Sequence, residues 1–316
     1  MLVLTRSQVE ELLDLDALVE AVAAAQADLS AGVASMPPRI AALVPERDGL
    51  LGVMPAHLPS AGLACKLVTL FPRNRDRDTH QAAIMVFDPD NGSPVALMDG
   101  TYITATRTAA ASALATRMLA RGDASVLAVL GSGVQAHSHG RALMRVRDFT
   151  EVRVAARDRA KAEALAAELG GRAVASWQEA LDGADVVAAA THADEPVVRR
   201  EWLSQGVHVN SVGLNQSGRE VDEATVAEAL LVVESRASTL APAPAGAPEL
   251  AGVPPERVHA ELGELVCGDR PGRTSPDQIT LYKSVGVAVQ DLAAAALVLE
   301  AARAGRIGTE IDLGGE

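Results

Sequence analysis

Two groups of residues in this chain have types and spacing suited to chemistry. The first is Gly131-Ser132-Gly133-Val134-Gln135-Ala136, which follows directly on the apolar run Val126-Leu127-Ala128-Val129-Leu130. A strand feeding a glycine-rich turn and then a helix is the opening of a dinucleotide-binding unit. Gly131 would permit the tight turn, Gly133 would let backbone approach a diphosphate, and the small Ala136 would let the helix pack on the strand. The N-terminus of that helix offers unpaired N–H groups and a dipole that favour an anion. The second group is Arg39, Lys66 and Arg107, three cations set beside apolar residues rather than in charge runs. Lys66 interrupts Gly62-Leu63-Ala64-Cys65-Lys66-Leu67-Val68, and a charge in a buried strand is costly unless an anion pairs with it. Arg107 reads as part of the first turn of a helix over 104–119, the end where the dipole disfavours a cation. Together the three predict a pocket for a carboxylate. For each alone, an internal salt bridge or a snorkelling surface side chain is the plainer explanation.

The end of the second strand of the dinucleotide unit bears on the cofactor. An NAD site usually places Asp or Glu there, about 20 residues past the fingerprint, to accept from the ribose 2′-hydroxyl. Here the residues are Ala155-Ala156-Arg157-Asp158-Arg159. Arg157 and Arg159 make a fork suited to a 2′-phosphate, so NADP(H) is the preferred cofactor and NAD(H) the alternative. Asp158 can serve as a helix N-cap or as a hydroxyl acceptor. His80, His137, His139, His192 and His208 read as structural histidines, and no HExxH, CxxC or other zinc spacing occurs, so no metal site is expected. Ser132 is a turn residue, since GxSxG is absent, and Cys65 reads as a small buried hydrophobe rather than an activated thiol.

The elements that must position these residues follow from apolar periodicity. Short apolar strands at 126–130, 151–156, 185–190, 207–212 and 230–234 alternate with helical stretches to about 147, at 158–169 and at 199–204. That succession predicts a parallel, doubly wound sheet. Ahead of it lie a helix from about 7 or 16 to 29, with Leu12, Leu15, Leu18, Val19 and Val22 on one face, and strands at 39–44, 49–54, 61–70, 82–87 and 94–99. These read as an antiparallel meander, with Asn91-Gly92 as a hairpin turn. A long helix over 277–304 closes the chain, and the Pro/Ala-rich stretch 241–255 reads as a loop. At 316 residues two domains are the expectation. The net charge of −13 argues against nucleic acid or an anionic membrane as partner. Two cysteines without a framework fit a reducing cytoplasm, and the acidic amphipathic N-terminus is neither a signal peptide nor a membrane span.

The chain as a whole resembles the ornithine cyclodeaminase and mu-crystallin family. The carriers are Lys66-Leu67-Val68, Thr79-His80-Gln81-Ala82, Phe87-Asp88-Pro89, Met98-Asp99-Gly100, Thr104 to Ala110, the fingerprint itself, Glu264-Leu265-Val266 and Lys283-Ser284-Val285-Gly286. The stretch 241–255 matches least. The resemblance implies an α/β architecture: a doubly wound Rossmann domain, 119–289, inserted between the two halves, 1–118 and 290–316, of an α+β substrate and dimerisation domain. It also implies a homodimer and reactions that share an imine. By resemblance, Arg39, Lys66 and Arg107 hold a substrate carboxylate, and Thr108 with Gly133 to Ala136 contacts the diphosphate. Thr191 and Val212-Gly213-Leu214 would line the nicotinamide pocket, which Ser284 to Gly286 would close. Asn215 stands where cyclodeaminases carry a basic aspartate, and an amide cannot take up a proton at neutral pH. Ala82 replaces the threonine that cyclodeaminases tend to have. The expectation is therefore a ketimine reductase acting on a small cyclic imino acid, with Lys66 as proton donor or iminium-stabilising group, directly or through a water. The alternatives are an ornithine or lysine cyclodeaminase, an alanine-type dehydrogenase, and a non-enzymatic binder of cofactor and ligand.

Overall fold

A computed structural model of the chain describes residues 1–215 and 218–314. Its contacts divide it into one unit made of 1–107 with 287–316 and a second made of 108–286. The second unit is thus inserted between the two halves of the first, at 108–286 where 119–289 was expected.

In the first unit the strands are β1 (Leu2–Leu4), β2 (Ile40–Val44), β3 (Gly49–Leu58), β4 (Gly62–Leu70), β5 (His80–Phe87), β6 (Pro94–Asp99) and a short β15 (Thr309–Glu310). They form one sheet in the order β15-β1-β6-β5-β4-β3-β2, in which β2 to β6 are the antiparallel meander and β1 lies parallel to β6. Gly92 takes φ +78° in the β5–β6 hairpin, a conformation glycine adopts without penalty. Alternation in β3 to β6 turns Met54, Ala56, Leu58, Ala64, Val68, Ile84, Val86, Ala96 and Met98 to the core. The helix α10 (Ala288–Gly305) packs against β3, β4 and β5, and α2 (Leu15–Ser30) packs against α10. The N-terminal helix is interrupted: α1 (Arg6–Leu12) stops and Asp14 caps α2 by accepting from the Ala17 N–H at 2.8 Å.

A helix, α3 (Gly100–Leu119), leaves β6 and continues into the second unit. It begins four residues earlier than the sequence pattern suggests, with Asp99 accepting from the Tyr102 N–H. Arg107 therefore stands beyond the first turn, and the dipole gives no reason for its position.

The second unit holds an all-parallel sheet in the order β13-β12-β14-β11-β10-β7-β8-β9. Its strands are β7 (Val126–Leu130), β8 (Glu151–Ala155), β9 (Arg172–Ala173), β10 (Val186–Ala189), β11 (His208–Ser211), β12 (Leu230–Val233), β13 (Ala260–Glu261) and β14 (Thr280–Lys283). Helices α4 (Val134–Leu143), α5 (Arg159–Glu168), α6 (Trp177–Leu181), α7 (Glu223–Glu228), α8 (Arg236–Thr239) and α9 (Leu262–Cys267) lie along the connections. Strand order reverses direction between β7 and β10, the kind of switch point at which ligands bind in open α/β sheets.

Three expected helices are corrected. Residues 277–304 are not one helix: Thr280–Lys283 is a central strand between β11 and β12, Gly286 at φ +78° breaks the chain direction, and α10 starts at Ala288. A strand buried on both faces is apolar throughout, so its pattern merges with that of the helix after it. The fingerprint helix ends at Leu143 rather than near 147, and 199–204 contains only the single turn Arg200–Trp202.

Candidate active site

In the first unit the buried face of β4 presents Lys66, flanked in register by Met54 and Ile84. The facing group comes from α10. Lys66 Nζ lies 2.7 Å from Asp291 Oδ2, and Arg107 Nε donates to Asp291 Oδ1 at 3.0 Å while its NH1 donates to Gln290 Oε1 at 2.9 Å. Lys66, Arg107 and Asp291 are 2%, 3% and 2% exposed. Burial pushes the Lys66 ammonium down to about 8, against the pull of Asp291; Arg107 and Arg39 push it in the same direction as burial. Burial would raise Asp291, yet Arg107 and Lys66 outweigh it and hold the carboxyl below its usual range. His80, at the start of β5, is driven down to about 4 by burial and then by Lys66 and Arg107, so its ring is neutral at neutral pH.

Two cations, Lys66 and Arg107, thus share one internal carboxylate, and a third, Arg39, lies near enough to act on Lys66. The internal salt bridge and the carboxylate pocket, weighed against each other from sequence, are compatible: Asp291 compensates part of the charge, and the cluster stays net positive.

In the second unit Gly131 follows β7 at φ +114°, and its N–H donates to Ala155 O at 2.8 Å. A Cβ there would meet Ala190 O at 2.5 Å, so only glycine allows the turn to pass the end of β10. Gly133 is the N-cap of α4, and a Cβ on it would meet nothing within 4 Å. Open space above an uncapped helix start, with Ala136 fully buried beneath, fits the diphosphate of a dinucleotide. Val134 is exposed and Gln135 half-buried on the same turn. Past β8, Ala155, Ala156 and Arg157 line a hollow of about 310 Å³ with Ala175, Ser176 and Trp177. Asp158 acts as N-cap of α5, accepting from the Lys161 N–H, and Arg159 is paired with Glu163 along the same helix at 2.8 Å. Of the two arginines, Arg157 is the one at the hollow.

Thr108 is buried on α3, and Thr191, Val212 and Gly213 follow β10 and β11. Ser284 and Gly286 follow β14. Asn215 Nδ2 donates to Asp194 Oδ1 at 2.9 Å and to Ala193 O at 3.1 Å. His139 bridges Gln135 O and Ser112 Oγ, and His208 bridges Thr280 Oγ1 and Asn210 Oδ1, both in buried structural roles.

Residues 1–306 match the sequence model of the ornithine cyclodeaminase/mu-crystallin family. The chain belongs to that family. It is 40% identical over 298 residues to the ketimine reductase mu-crystallin of Mus musculus, covering 92% of this chain and 93% of that one. The solved structure of Thermococcus litoralis Δ1-pyrroline-2-carboxylate reductase in complex with NADH and L-proline superposes with a TM-score of 0.94 at 36% identity, covering 98% and 100% of the two chains. An archaeal alanine dehydrogenase, described as a dimer with bound NAD, gives a TM-score of 0.92 at 32% identity over 99% of each chain.

Within this family member, sequence reasoning passed over several buried polar residues. Asp291 was visible as the lone acid in Val287-Ala288-Val289-Gln290-Asp291-Leu292-Ala293-Ala294, the same signal that exposed Lys66. Lys283, Glu220, Glu249 and Glu234 are likewise buried, and their partners lie at the strand ends of the parallel sheet.

Proposed function

We propose that this chain reduces a small cyclic ketimine, Δ1-pyrroline-2-carboxylate or Δ1-piperideine-2-carboxylate, to the cyclic amino acid. It is an oxidoreductase acting on C=N bonds, the class of the reductases it resembles. The observation that carries this reading is the buried cluster in which Lys66 and Arg107 outnumber Asp291, with the half-buried Arg39 adding its charge nearby. Those cations bind the substrate carboxylate and so orient the imine carbon, a positioning effect on the order of several kcal/mol. Lys66 holds a proton near neutrality and gives it to the ring nitrogen as the carbon is reduced. Bound NAD(P)H supplies the hydride. Gly131, Gly133, Val134, Gln135, Ala136 and Thr108 hold its diphosphate, and Thr191, Val212, Gly213, Ser284 and Gly286 surround its nicotinamide.

Two relatives are described with NADH or NAD bound, which supports a nicotinamide cofactor. The preference for the phosphorylated form rests on Arg157 beside the hollow and on the absence of an acid at the end of β8. Cyclodeamination is disfavoured because Asn215 is an amide engaged as a donor to Asp194. A homodimer through the first unit is supported by the outward face of its sheet. Ile40, Val53 and Leu67 align across β2, β3 and β4, and Ile40, Leu51 and Leu67 are exposed.

The test is oxidation of NADPH and NADH against both imines side by side. Turnover of either imine supports the reading. Release of ammonia from ornithine with no net cofactor oxidation, or oxidation only with pyruvate and ammonia, overturns it.

A further inference from the structure

The second unit contains a buried charged network that the reading above leaves without a task. Glu220 is 3% exposed and accepts four hydrogen bonds. Its Oε1 takes the Thr191 N–H at 2.6 Å and the Thr191 hydroxyl at 2.8 Å. Its Oε2 takes the Ser211 hydroxyl and the Gly213 N–H, each at 2.8 Å. One oxygen therefore holds the segment after β10, and the other holds the segment after β11. Lys283, buried at the end of β14, fixes the second segment from its other side: its Nζ donates to Gly213 O at 2.7 Å and to Ser211 Oγ at 3.1 Å. Glu249 completes the frame, pairing with Lys283 at 3.2 Å and accepting from the Glu220 N–H at 2.9 Å.

Both the N–H and the C=O of Gly213 are thus bound by charged side chains. The fit leaves no room for more, since a Cβ on Gly213 would meet Thr191 O at 2.3 Å and Glu220 Oε1 at 2.4 Å. Each oxygen of Glu220 accepts from one backbone N–H and one hydroxyl. A glutamine would replace one acceptor oxygen by an NH2 group and set a donor against a backbone N–H, releasing one of the two segments.

We propose that Glu220, held in place by Lys283 and Glu249, is a positioning residue that sets how Thr191 and Gly213 meet the nicotinamide ring. This rests on the assignment of Thr191 and Val212-Gly213 to the nicotinamide made above. Glu220 touches the segments and not the ring, so its loss acts on the geometry of hydride transfer rather than on the diphosphate or the imino acid.

The experiment compares Glu220→Gln and Ser211→Ala with the parent protein. Binding of NADPH and of its analogue lacking nicotinamide, 2′-phospho-ADP-ribose, is measured by calorimetry, alongside kcat and KM for the imine. For Glu220→Gln, kcat is expected to fall about tenfold or more with KM for the imine nearly unchanged, because a misplacement near 1 Å carries losses of that order. NADPH affinity is expected to fall about tenfold while the analogue binds as before. Ser211→Ala removes the hydroxyl shared by Glu220 and Lys283 without changing charge, and is expected to move the same quantities by a smaller factor. It carries the test if Glu220→Gln does not fold. Equal losses for NADPH and the analogue mean a merely structural role and overturn the proposal, as do unchanged kcat and NADPH affinity in the folded variant. Failure of the underlying reading is distinguishable, because the parent itself would then bind NADPH no better than the analogue.

Discussion

Asp291→Asn isolates the electrostatics of the buried cluster in the first unit. The substitution keeps size and removes the one carboxylate that Lys66 and Arg107 share. Removing one partner of a buried ion pair costs about 3–5 kcal/mol, because the other charge stays buried without compensation. The pH dependence of the loss is more diagnostic than its size. In the parent, Lys66 titrates at about 8 when folded against 10.5 for the unfolded value. At an effective dielectric of about 20, charges at the Lys66–Asp291 separation of 2.7 Å interact by about 6 kcal/mol, several pKa units. Without Asp291 the folded Lys66 therefore falls below 7. Between pH 7 and 8 the unfolded variant binds a proton that the folded variant does not, so its stability rises by about 1.4 kcal/mol per pH unit. The parent gains little from Lys66 over that interval, because both of its states keep the proton until pH approaches 8. The deficit should thus shrink by about 1.4 kcal/mol from pH 7 to pH 9, most of it below pH 8. Urea unfolding of both proteins at pH 7, 8 and 9 measures this. A deficit under about 1 kcal/mol at pH 7, or one equal at all three values, refutes the coupling of Asp291 to Lys66.

In the parent enzyme kcat/KM for the imine is expected to fall as pH rises through about 8, when Lys66 loses its proton; a profile flat to pH 9.5 removes Lys66 from the proton-transfer step. Arg157→Ala is expected to raise KM for NADPH by about tenfold or more and leave NADH nearly unaffected, the scale of a lost charge-assisted hydrogen bond; equal effects on the two cofactors would place the 2′-phosphate elsewhere. Leu67→Asp puts a charge on the outward apolar face of β4, and sedimentation should show a dimer converted to monomers. An unchanged sedimentation coefficient would assign that face another role.

How much of this was legible in the chain depended on how local the signal was. The dinucleotide turn and the meander could be read because glycine conformation and strand alternation are written in neighbouring residues. Gly131 and the Asn91-Gly92 hairpin fell where their backbone demands put them. The strand at Thr280–Lys283 could not be separated from α10, since burial on both faces erases the two-residue period. That merger also hid the burial of Lys283, which was read only as part of a family motif: within a long helix a lysine has solvent to reach, whereas in a central strand it must find a carboxylate. Lys66 was flagged by the same physics because its strand was correctly drawn. Its partner Asp291 lies 225 positions away by residue number, 291 minus 66, a pairing that no local pattern carries. Arg107 was singled out for a reason that did not hold, its place near a helix start, and its real setting is the ion pair with Asp291.

The position of Glu249 has a consequence for how this protein can vary. It sits in the proline- and alanine-rich stretch 241–255, on the turn Pro248–Leu250, with its side chain buried against Lys283 and the Glu220 backbone. The exposed positions of that stretch, Pro242 to Pro244 and Ala251, are open to change, whereas Ala247 and Leu250 pack in the core, a Cβ on Gly246 would run into Ala241 O, and one carboxylate must be delivered to Lys283. A chimera carrying a relative's loop would thus be judged by whether it brings an acid to Lys283, and an alignment scored residue by residue would miss the requirement.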